Sequence, residues 1–440
     1  MSTPDWADWN PSDEYTLGVE EEVMLLNPAD WSLAQQIDRV LPVLPEELGA
    51  HVTPETHRSA LEMGTGVHRT VASATAELLH LRRSLAAALE PLGLRCASSG
   101  THPFTVWHET VMSSGDRYES VYDSMRELAR REPTFALHVH VGVPDPEAGI
   151  RLFNRMRAHL PLLLALSANS PFWQGRDTGL SSARTSLFQA FPRVGLPRPF
   201  TDYADWVDTV GLLVRCGAFP DASYLWWDVR PVPRFGTVEV RIMDAQTTVT
   251  ETAALVALVQ CIARLESTDE YASPLLVQST ELLSENRFIA SRDGMAAELI
   301  DPVSEWRVPA SLVLDALLEA CRPHARELGC EAELEPLSWM AQADGARRQL
   351  NLARRAEKLP GLVRRLAGSF TEERPAGPDD RNRRRNGELS RLVALQPARP
   401  AACRATAAQA PPGRVRHPRC RTVAWSPRRS EPTAPNLILL

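Results

Sequence analysis

Lysine is almost absent from this sequence, in which Lys358 is the only lysine among 440 residues. Arginine therefore carries nearly all of the positive charge. This excludes a lysine nucleophile or a P-loop lysine upstream of that position. The sequence also lacks a GxxxxGKS or GxxxxGKT motif and a kinase-type glycine-rich loop. Metal ions and arginines would therefore have to hold any bound nucleotide.

Paired cysteines and long apolar segments are also missing. The seven cysteines are scattered and form no CxxC pair, which predicts reduced thiols rather than a disulfide framework or a zinc site. No run reaches the roughly 18 apolar residues of a membrane span, since the longest, Ala253 to Leu265, is interrupted by Gln260 and Arg264.

The net charge and the N-terminal sequence restrict the possible class of protein further. The net charge of −7 argues against nucleic acid as a partner. The acidic N-terminus lacks the apolar core of a signal peptide. We therefore expect a cytoplasmic protein with neither a nucleic acid nor a membrane as its partner.

Strand-like and helix-like segments alternate without a linker from Tyr15 to Phe370, which predicts one folded domain over residues 1–370. The predicted strands are Tyr15–Leu26, Ser59–Met63, Phe135–Val143 and Thr237–Met243. The predicted helices are Ala72–Leu92, Arg117–Arg131, Ile150–Ala168, Glu251–Ser267 (with Thr250 as its N-cap) and Ala310–Ala320. Long helices between strands indicate an α+β class, with helices packed on a mainly antiparallel sheet.

The composition changes at about Thr371. Residues 371–440 hold fourteen arginines, ten prolines and six acidic residues without any apolar period, which predicts a disordered tail. A basic tail can contact nucleic acid or a membrane, but a dispensable tail is the simpler interpretation.

Two carboxylates stand out in the first predicted strand. Glu20 and Glu22 share one face, while Glu21 points to the other face, among Val19 and Val23. Carboxylates about 7 Å apart repel each other and favour a cation between them. A solvated edge strand is the alternative, although apolar residues on both sides argue against it.

Two further strands carry polar pairs by the same alternation. His138 and His140 share a face of an apolar strand, a pattern typical of metal ligation or phosphate contact, with buried structural histidines as the alternative. Glu239 and Arg241 share a face of the last predicted strand, where a plain ion pair between them is the alternative.

A third acidic segment adds Glu55 and Glu62. Glu62 projects opposite to Leu61 and Met63, and Glu55 reaches in from the preceding turn. Each alone is also compatible with an ordinary surface acid. Together the segments predict a polar cavity with five glutamates, two histidines and an arginine. An excess of oxygen ligands favours Mg²⁺ or Mn²⁺ over zinc, and protein-bound Mg²⁺ usually keeps sites for water and nucleotide phosphates.

These segments resemble the glutamate–cysteine ligase 2, or carboxylate–amine ligase, family of the glutamine synthetase/glutamate–cysteine ligase superfamily. The matching stretches are GVEEEVMLL, HRSALEMGTGVH, SSGTHPF, HVHVGVPD, ALSANSPFWQGRDTGLSSAR, YLWWDVRPVPRFGTVEVRIMDAQT and ENRFIASRDG. The resemblance runs from about Tyr15 to Phe370 and leaves the tail without a counterpart. It implies a glutamine synthetase/guanido kinase-like fold, with an antiparallel sheet bowed over an active-site funnel where Mg²⁺ ions bridge protein and ATP.

The resemblance also implies roles for individual residues. The implied metal ligands are Glu20, Glu22, Glu55, Glu62, His138 and Glu239, with His140 close by. Glu239 and Arg241 are the implied catalytic residues, Arg241 stabilising the transferred phosphoryl group. Arg184 and Arg230 are further candidates for contact with phosphate or substrate carboxylate.

The implied reaction is the ATP- and Mg²⁺-dependent joining of a carboxylate to an amine through an acyl phosphate. L-Glutamate and L-cysteine are the pair that the resemblance implies, and nothing else in the sequence fixes the amine. A phosphagen-type kinase and a non-catalytic metabolite-binding protein of the same fold are the alternatives. Amino acids and ATP are the expected partners, and a homodimer is one assembly this allows.

Deletion of residues 372–440 should leave the melting temperature and the soluble yield nearly unchanged, because the tail lacks the apolar residues needed to pack on the domain. Thermal unfolding of the full and shortened chains tests this. A large loss of soluble protein on deletion would contradict it.

Overall fold

Alternating apolar residues build a seven-stranded antiparallel sheet in the structure, a computed structural model that describes residues 4–131, 133–355 and 358–372. The strands are β1 (Leu17–Leu26), β2 (Val52–Pro54), β3 (Ala60–Gly64), β4 (Arg95–Ala97), β5 (Ala136–Gly142), β6 (Phe172–Trp173), β7 (Arg176–Asp177), β8 (Val194–Gly195), β9 (Trp226–Trp227), β10 (Val229–Val232), β11 (Thr237–Asp244), β12 (Glu298–Asp301) and β13 (Trp306–Pro309). The main sheet has the order β10-β11-β5-β1-β3-β2, and β4 pairs with β1 on the edge that β5 also occupies. Strands β6–β7, β8–β9 and β12–β13 form separate two-stranded pairs.

Helices fill most of the chain between these strands. They are α1 (Ile37–Val40), α2 (Glu46–Gly49), α3 (Val71–Leu89), α4 (Asp116–Met125), α5 (Pro146–Met156), α6 (Leu160–Ser167), α7 (Ala183–Phe188), α8 (Tyr203–Arg215), α9 (Val249–Thr268), α10 (Pro274–Gln278), α11 (Thr280–Asp293), α12 (Ala310–Leu328), α13 (Glu331–Leu334), α14 (Leu337–Gln342), α15 (Gly345–Arg355) and α16 (Leu359–Ser369). Across the described ranges, none of these helices combines the length and apolar character that a membrane crossing requires.

The predicted α+β class with an antiparallel sheet is confirmed, and all four predicted strands are present with ends shifted by at most two residues. The sequence missed β2, β4 and β10, which are three or four residues long. Segments this short contain too few residues for alternation to be recognised.

Three predicted helices end earlier than expected or are interrupted, and one is longer. The helix predicted over 72–92 ends at Leu89, and the one predicted over 310–320 continues to Leu328. The helix predicted over 117–131 stops at Met125, because Arg126 adopts a left-handed backbone (φ 54°) and a 3₁₀ turn follows. The helix predicted over 150–168 is split into α5 and α6 by the 3₁₀ turn Arg157–His159, and Pro161 lies in the first turn of α6, where its missing N–H is tolerated.

The N-cap predicted at Thr250 is also wrong. Helix α9 begins at Val249, so that Thr248 is the N-cap residue and Glu251 the third helical residue. The backbone N–H of Thr248 donates to the Glu251 carboxylate (2.9 Å), which completes a capping box. α9 starts earlier because this reciprocal pair satisfies its first free N–H groups.

One face of the sheet is apolar and is covered by helices. Strands β1, β5 and β11 direct side chains such as Val19, Val139 and Val240 into a buried core, where α3, α5 and α9 pack. α9 is buried along nearly its whole length, as expected for a helix that is apolar all round. The polar residues of the same strands are thereby left to the opposite face.

An ion pair between Glu21 and Arg82 interrupts this apolar face. Glu21 and Arg82 of α3 are fully buried, and the Nε and Nη2 atoms of Arg82 each donate to a Glu21 oxygen at 2.8 Å. The other Arg82 hydrogens reach the carbonyls of Gln246, Thr247 and Phe370 at 2.9–3.0 Å. All five guanidinium donors are therefore satisfied, and they join β1, α3, the segment before α9 and the segment after α16.

Replacing Arg82 with Met should lower the free energy of unfolding by about 3–5 kcal/mol, because it leaves the Glu21 carboxylate buried without a cation. Urea denaturation measures the change. Arg151→Met, at an exposed position of α5, is the matched control and should stay within about 0.5 kcal/mol of wild type. Equal losses for both variants would mean that the pair is not what stabilises this face.

Candidate active site

The register of the sheet brings the polar residues of five strands together. Glu22 of β1 lies directly opposite Glu62 of β3, and Glu20 lies opposite His138 of β5. Residues directly opposite on neighbouring strands have Cβ atoms about 4.5–5.5 Å apart. β1 pairs on both edges, so the solvated edge strand considered from the sequence is wrong.

The same polar face of the sheet continues onto β11 and β10. Glu239 lies opposite His140 on one side and opposite Arg230 on the other. The resulting polar face holds, within the described residues, all of the carboxylates, histidines and arginines that the resemblance assigned to these strands. Glu21 is absent from this face and lies with Arg82 on the opposite one.

Arg241 enters the site through a β-bulge. The pairing of β11 with β5 changes register between Val240 and Met243, so two residues of β11 oppose one of β5. The carbonyls of Arg241 and Ile242 accept hydrogen bonds from the Nη atoms of Arg184 at 3.2 and 3.0 Å. Arg184 was expected to contact phosphate, but both of its Nη atoms donate hydrogen bonds to the bulge.

The histidines sit among the carboxylates. His138 Nδ1 lies 3.4 Å from Glu20 and 3.8 Å from both Glu62 and Glu239, and its Nε2 is 3.8 Å from Glu22. Each acid reaches this buried imidazole from a different point on the same face, so His138 occupies the middle of the cluster.

His140 is held in a fixed orientation. Its Nδ1 lies 2.9 Å from the hydroxyl of Thr237, and its Nε2 lies 3.4 Å from Glu20 and 3.8 Å from Glu239. An imidazole held through one nitrogen presents the other to the cluster, as metal-binding histidines do.

Among the residues that the structure describes, three groups of side chains have the spacing of a metal site, with ligand atoms within 4.8 Å of one another in each group. The groups are Glu20, His140 and Glu239; Glu20, Glu62 and His138; and Glu22, Glu55 and Glu62. The Nε2 atoms of both His138 and His140 are buried without a hydrogen-bond partner. Orphaned nitrogens facing carboxylates fit a bound cation, and oxygen-rich sets of this kind suit Mg²⁺.

The acidic residues of the site differ in their pKa values. Burial and the nearby Glu55 raise the pKa of Glu22 to about 7, and burial with repulsion from Glu20, Glu55 and Glu22 raises the pKa of Glu62 well above its ordinary value. Burial also raises the pKa of Glu55. This acidic side is therefore the side that needs a cation.

Glu239 shows the opposite behaviour. Burial opposes its ionisation, but Arg230 and Arg241 hold the pKa of Glu239 below its usual range. Arg230 Nε donates to Glu239 at 2.5 Å, and Arg241 Nη1 also donates to it. The Glu239–Arg241 ion pair offered as an alternative reading of the sequence is thus present, within a larger network.

The imidazole of His138 stays neutral in this setting. Burial and the nearby Arg241 lower the pKa of His138 to about 4. Burial opposes protonation of His140 as well, but Glu239 raises the pKa of that imidazole. A neutral imidazole has a lone pair to offer a cation.

Several polar residues near the cluster were not singled out from the sequence. Arg287 of α11 pairs with Asp228 (Nε to Oδ2, 2.5 Å; Nη2 to Oδ1, 3.2 Å) beside the cluster. Arg117 of α4 interacts electrostatically with Glu55 and donates to Ser223 at 3.1 Å. Asp228 and Arg287 lie inside the resembling stretches, which was the available signal, whereas Arg117 lies outside them.

Known sequences match the part of the chain that contains these residues. The model of glutamate–cysteine ligase family 2 matches residues 16–393. A Rubrobacter xylanophilus protein provisionally named glutamate–cysteine ligase 2-1 is 43% identical over 336 residues, which cover 76% of this chain and 89% of that protein. A Sorangium cellulosum protein provisionally named glutamate–cysteine ligase 2 is 38% identical over 354 residues, covering 80% and 94%.

Solved structures share the fold at low sequence identity. Francisella tularensis glutamate–cysteine ligase, in complex with AMP, superimposes with a TM-score of 0.62 and 12% identity, covering 89% of this chain and 97% of that one. A bifunctional glutathione synthetase from Pasteurella multocida gives a TM-score of 0.58 and 13% identity, with coverages of 81% and 51%.

The fold, the match to the family model and the named relatives define an ATP-dependent carboxylate–amine ligase. The chain belongs to glutamate–cysteine ligase family 2. The family match extends beyond the domain boundary predicted at residue 370. That boundary and the predicted tail stay predictions, since nearly all of the tail lies outside the described residues.

Glu62→Gln should raise the melting temperature in a chelator and abolish the further rise that we expect Mg²⁺ to give the wild type. Because the folded pKa of Glu62 is raised from 4.5, the wild type loses stability as the pH increases above that value, and the amide does not. The gain in the chelator should therefore be larger at pH 8 than at pH 5, as followed by thermal unfolding. A variant less stable than wild type in the chelator at pH 8 would contradict this.

Proposed function

We propose that the chain joins the side-chain carboxylate of L-glutamate to the amine of L-cysteine in an ATP- and Mg²⁺-dependent reaction. The observation that carries the proposal is the cluster of acids around His138 and His140, next to the Arg230–Glu239–Arg241 network. The AMP bound to the Francisella ligase supports nucleotide use. The names of the relatives support the choice of amino acids.

The three groups of clustered ligands would hold Mg²⁺, with Glu20 and Glu62 each belonging to two of them. When bound, the metal neutralises charge on the β- and γ-phosphates of ATP. The protein supplies the fixed geometry around the metal. Its register fixes the carboxylates at set spacings before any ligand arrives, so little reorganisation is needed during the reaction.

Arg241 is the residue best placed to stabilise the transferred phosphoryl group. The bulge carries its side chain onto the polar face, and Glu239 anchors the guanidinium through Nη1. Arg230 is tied to Glu239 and to the carbonyls of Ser223 and Leu225, so it acts chiefly by holding Glu239. This divides the two arginines between phosphate stabilisation and positioning.

The reaction has two steps. A substrate carboxylate oxygen forms a bond to the γ-phosphorus of ATP, and the bond between that phosphorus and the bridging oxygen breaks to release ADP. The amine nitrogen then bonds to the acyl carbon, inorganic phosphate leaves, and the nitrogen loses a proton. Phosphorylation is needed because an oxygen of a free carboxylate is a poor leaving group.

A phosphate-release screen tests the proposal. With ATP, Mg²⁺ and L-glutamate held constant, free phosphate should appear only when an amine is added. ADP formation with a phosphorylated product and no free phosphate would favour the alternative of a phosphagen-type kinase. Binding without turnover for every pair would favour a metabolite-binding protein.

Glu20→Gln and Glu22→Gln should each lower kcat by about 10²–10³-fold, because each removes a charged group from the reacting centre. Glu21→Gln is the control: it removes the same charge from the position between them, which faces Arg82. It should act mainly on stability, by about 3–5 kcal/mol because it leaves Arg82 buried without its anion, and keep the dependence on Mg²⁺. Initial rates against Mg²⁺ concentration, beside melting temperatures, separate the two effects. Loss of turnover in Glu21→Gln alone would mean that the functional face is misassigned.

A cytoplasmic location and a homodimer complete the proposal. The first follows from the cysteine pattern. The second is a common assembly for enzymes of this size. Both stay predictions.

A further inference from the structure

Helix α4 lies beside the acidic side of the site. The hydroxyl of Tyr118 donates to the carbonyl of Pro54 (2.5 Å), the residue directly before Glu55. Arg117 interacts electrostatically with Glu55. Burial raises the pKa of Tyr118, and the charges of Glu55 and Glu62 raise it further. The first turn of α4 is therefore within electrostatic reach of the carboxylates that need a cation.

The same helix contacts the arginine side of the site through Arg117. Arg117 Nη1 donates to the hydroxyl of Ser223 at 3.1 Å, and its Cζ lies 4.9 Å from the centre of the Tyr224 ring. The carbonyl of Ser223 accepts a hydrogen bond from Arg230 (3.1 Å), which also pairs with Glu239. Arg117 thus connects the acidic side of the site with the side that the arginines neutralise.

Few buried residues hold α4 in place. Of its ten residues only Val121 and Met125 are buried, and its main packing partner is the 3₁₀ turn that directly follows it. In contrast, α9 is buried along nearly its whole length. Because elements with little buried apolar surface open locally at a low free-energy cost, α4 is one of the elements most easily displaced.

The backbone at each end of α4 is suited to a hinge. Gly115 has φ 121° and ψ 157°, a conformation that side chains disfavour, and Arg126 has φ 54°. Just beyond them the chain is fixed, since the N–H of Ser113 donates to the carbonyl of Thr56 (2.9 Å) and the carbonyl of Arg130 accepts from a threonine hydroxyl (3.0 Å). Hinge motions change φ and ψ at a few residues of this kind at the ends of an element.

We propose that α4 is a lid over the site and that the contact between Arg117 and Ser223 holds it closed. The lid opens to admit the substrates and closes while they react. This inference rests on the proposed function for the identity of the substrates, and it adds a conformational step to that function.

A closed lid protects the acyl phosphate from water. When water reaches this intermediate, the water oxygen bonds to the acyl carbon, inorganic phosphate leaves, the substrate carboxylate is regenerated and a proton is released. Each such event consumes one ATP without forming an amide. Exclusion of water from reactive intermediates is a common function of active-site lids.

The first experiment measures how well the lid excludes water. Free phosphate and amide are both quantified with ATP, Mg²⁺, L-glutamate and the amine that gives the fastest phosphate release. The wild type should release nearly equal amounts of the two. Arg117→Ala should raise the ratio of phosphate to amide about two- to tenfold, because loss of an exposed hydrogen bond from a charged group shifts the lid towards its open state.

Arg130→Ala is the matched control for the loss of an exposed arginine. Arg130 contacts Glu127 (3.9 Å) and the ring of Tyr122 (5.2 Å), so these interactions stay within the same segment of the chain. This variant should keep the ratio of phosphate to amide found in the wild type. An equal rise in both variants would overturn the inference.

Ser223→Ala separates the contact from a direct effect of Arg117 on the substrates. It removes the hydroxyl that accepts from Arg117 and leaves the guanidinium beside Glu55. The ratio of phosphate to amide should rise, and the double variant with Arg117→Ala should rise no further than Arg117→Ala alone. An unchanged ratio in Ser223→Ala, or additive effects in the double variant, would overturn the inference.

Hydrogen exchange tests the lid without turnover. In the ligand-free full chain, the amides of α4 should exchange about two- to tenfold faster in Arg117→Ala than in the wild type. Mg²⁺, L-glutamate and a non-hydrolysable ATP analogue should slow their exchange in the wild type. Rates in α4 that neither the substitution nor these ligands change would overturn the inference, even if the ratio of phosphate to amide rises. Absence of amide with every amine overturns the proposed function, whereas the exchange rates still decide whether α4 is a lid.

Discussion

Repulsion among carboxylates on one face of the sheet is the constraint on which the rest of the structure depends. Glu22 and Glu62 lie directly opposite each other on paired strands, and Glu20 and Glu55 complete the acidic side. Like charges this close raise one another's pKa and oppose folding. Burial of the other face of the sheet offsets this repulsion. In the described strands that face is apolar apart from Glu21, which pairs with Arg82 of α3.

The site is consequently polarised. Glu22 on β1 and Glu62 on β3 have raised pKa values and need a cation, whereas Glu239 on β11 is already neutralised by two arginines. In the proposed reaction, ATP would bring phosphate to the arginine side and Mg²⁺ would bring positive charge to the acidic side.

The bulge in β11 connects the fold to the chemistry. An uninterrupted strand would pair all of its carbonyls along the ladder, but the bulge frees those of Arg241 and Ile242. Arg184 donates to both carbonyls. One irregularity thus sets the positions of two arginines, Arg241 on the polar face and Arg184 beside it.

Much of the site could be read from the sequence because strand alternation is local. The phase of residues 17–25 separates Glu20 and Glu22 from Glu21 without any knowledge of the fold, and the same holds for His138 with His140. Helix ends were less predictable. Thr248 displaced Thr250 as the N-cap of α9 through a reciprocal bond with Glu251, and the left-handed backbone at Arg126 stopped α4 early.

The sequence by itself determined the face on which each strand residue lies, the class of the fold and, through its resemblance, the family. Only the tertiary structure decided which strands are neighbours, and therefore that Glu22 meets Glu62 and that Glu239 meets His140. It also decided that Arg184 serves the bulge and that Arg82 satisfies Glu21. The reason is physical: alternation depends on adjacent residues, whereas register, bulges and buried ion pairs depend on contacts between residues far apart in the chain.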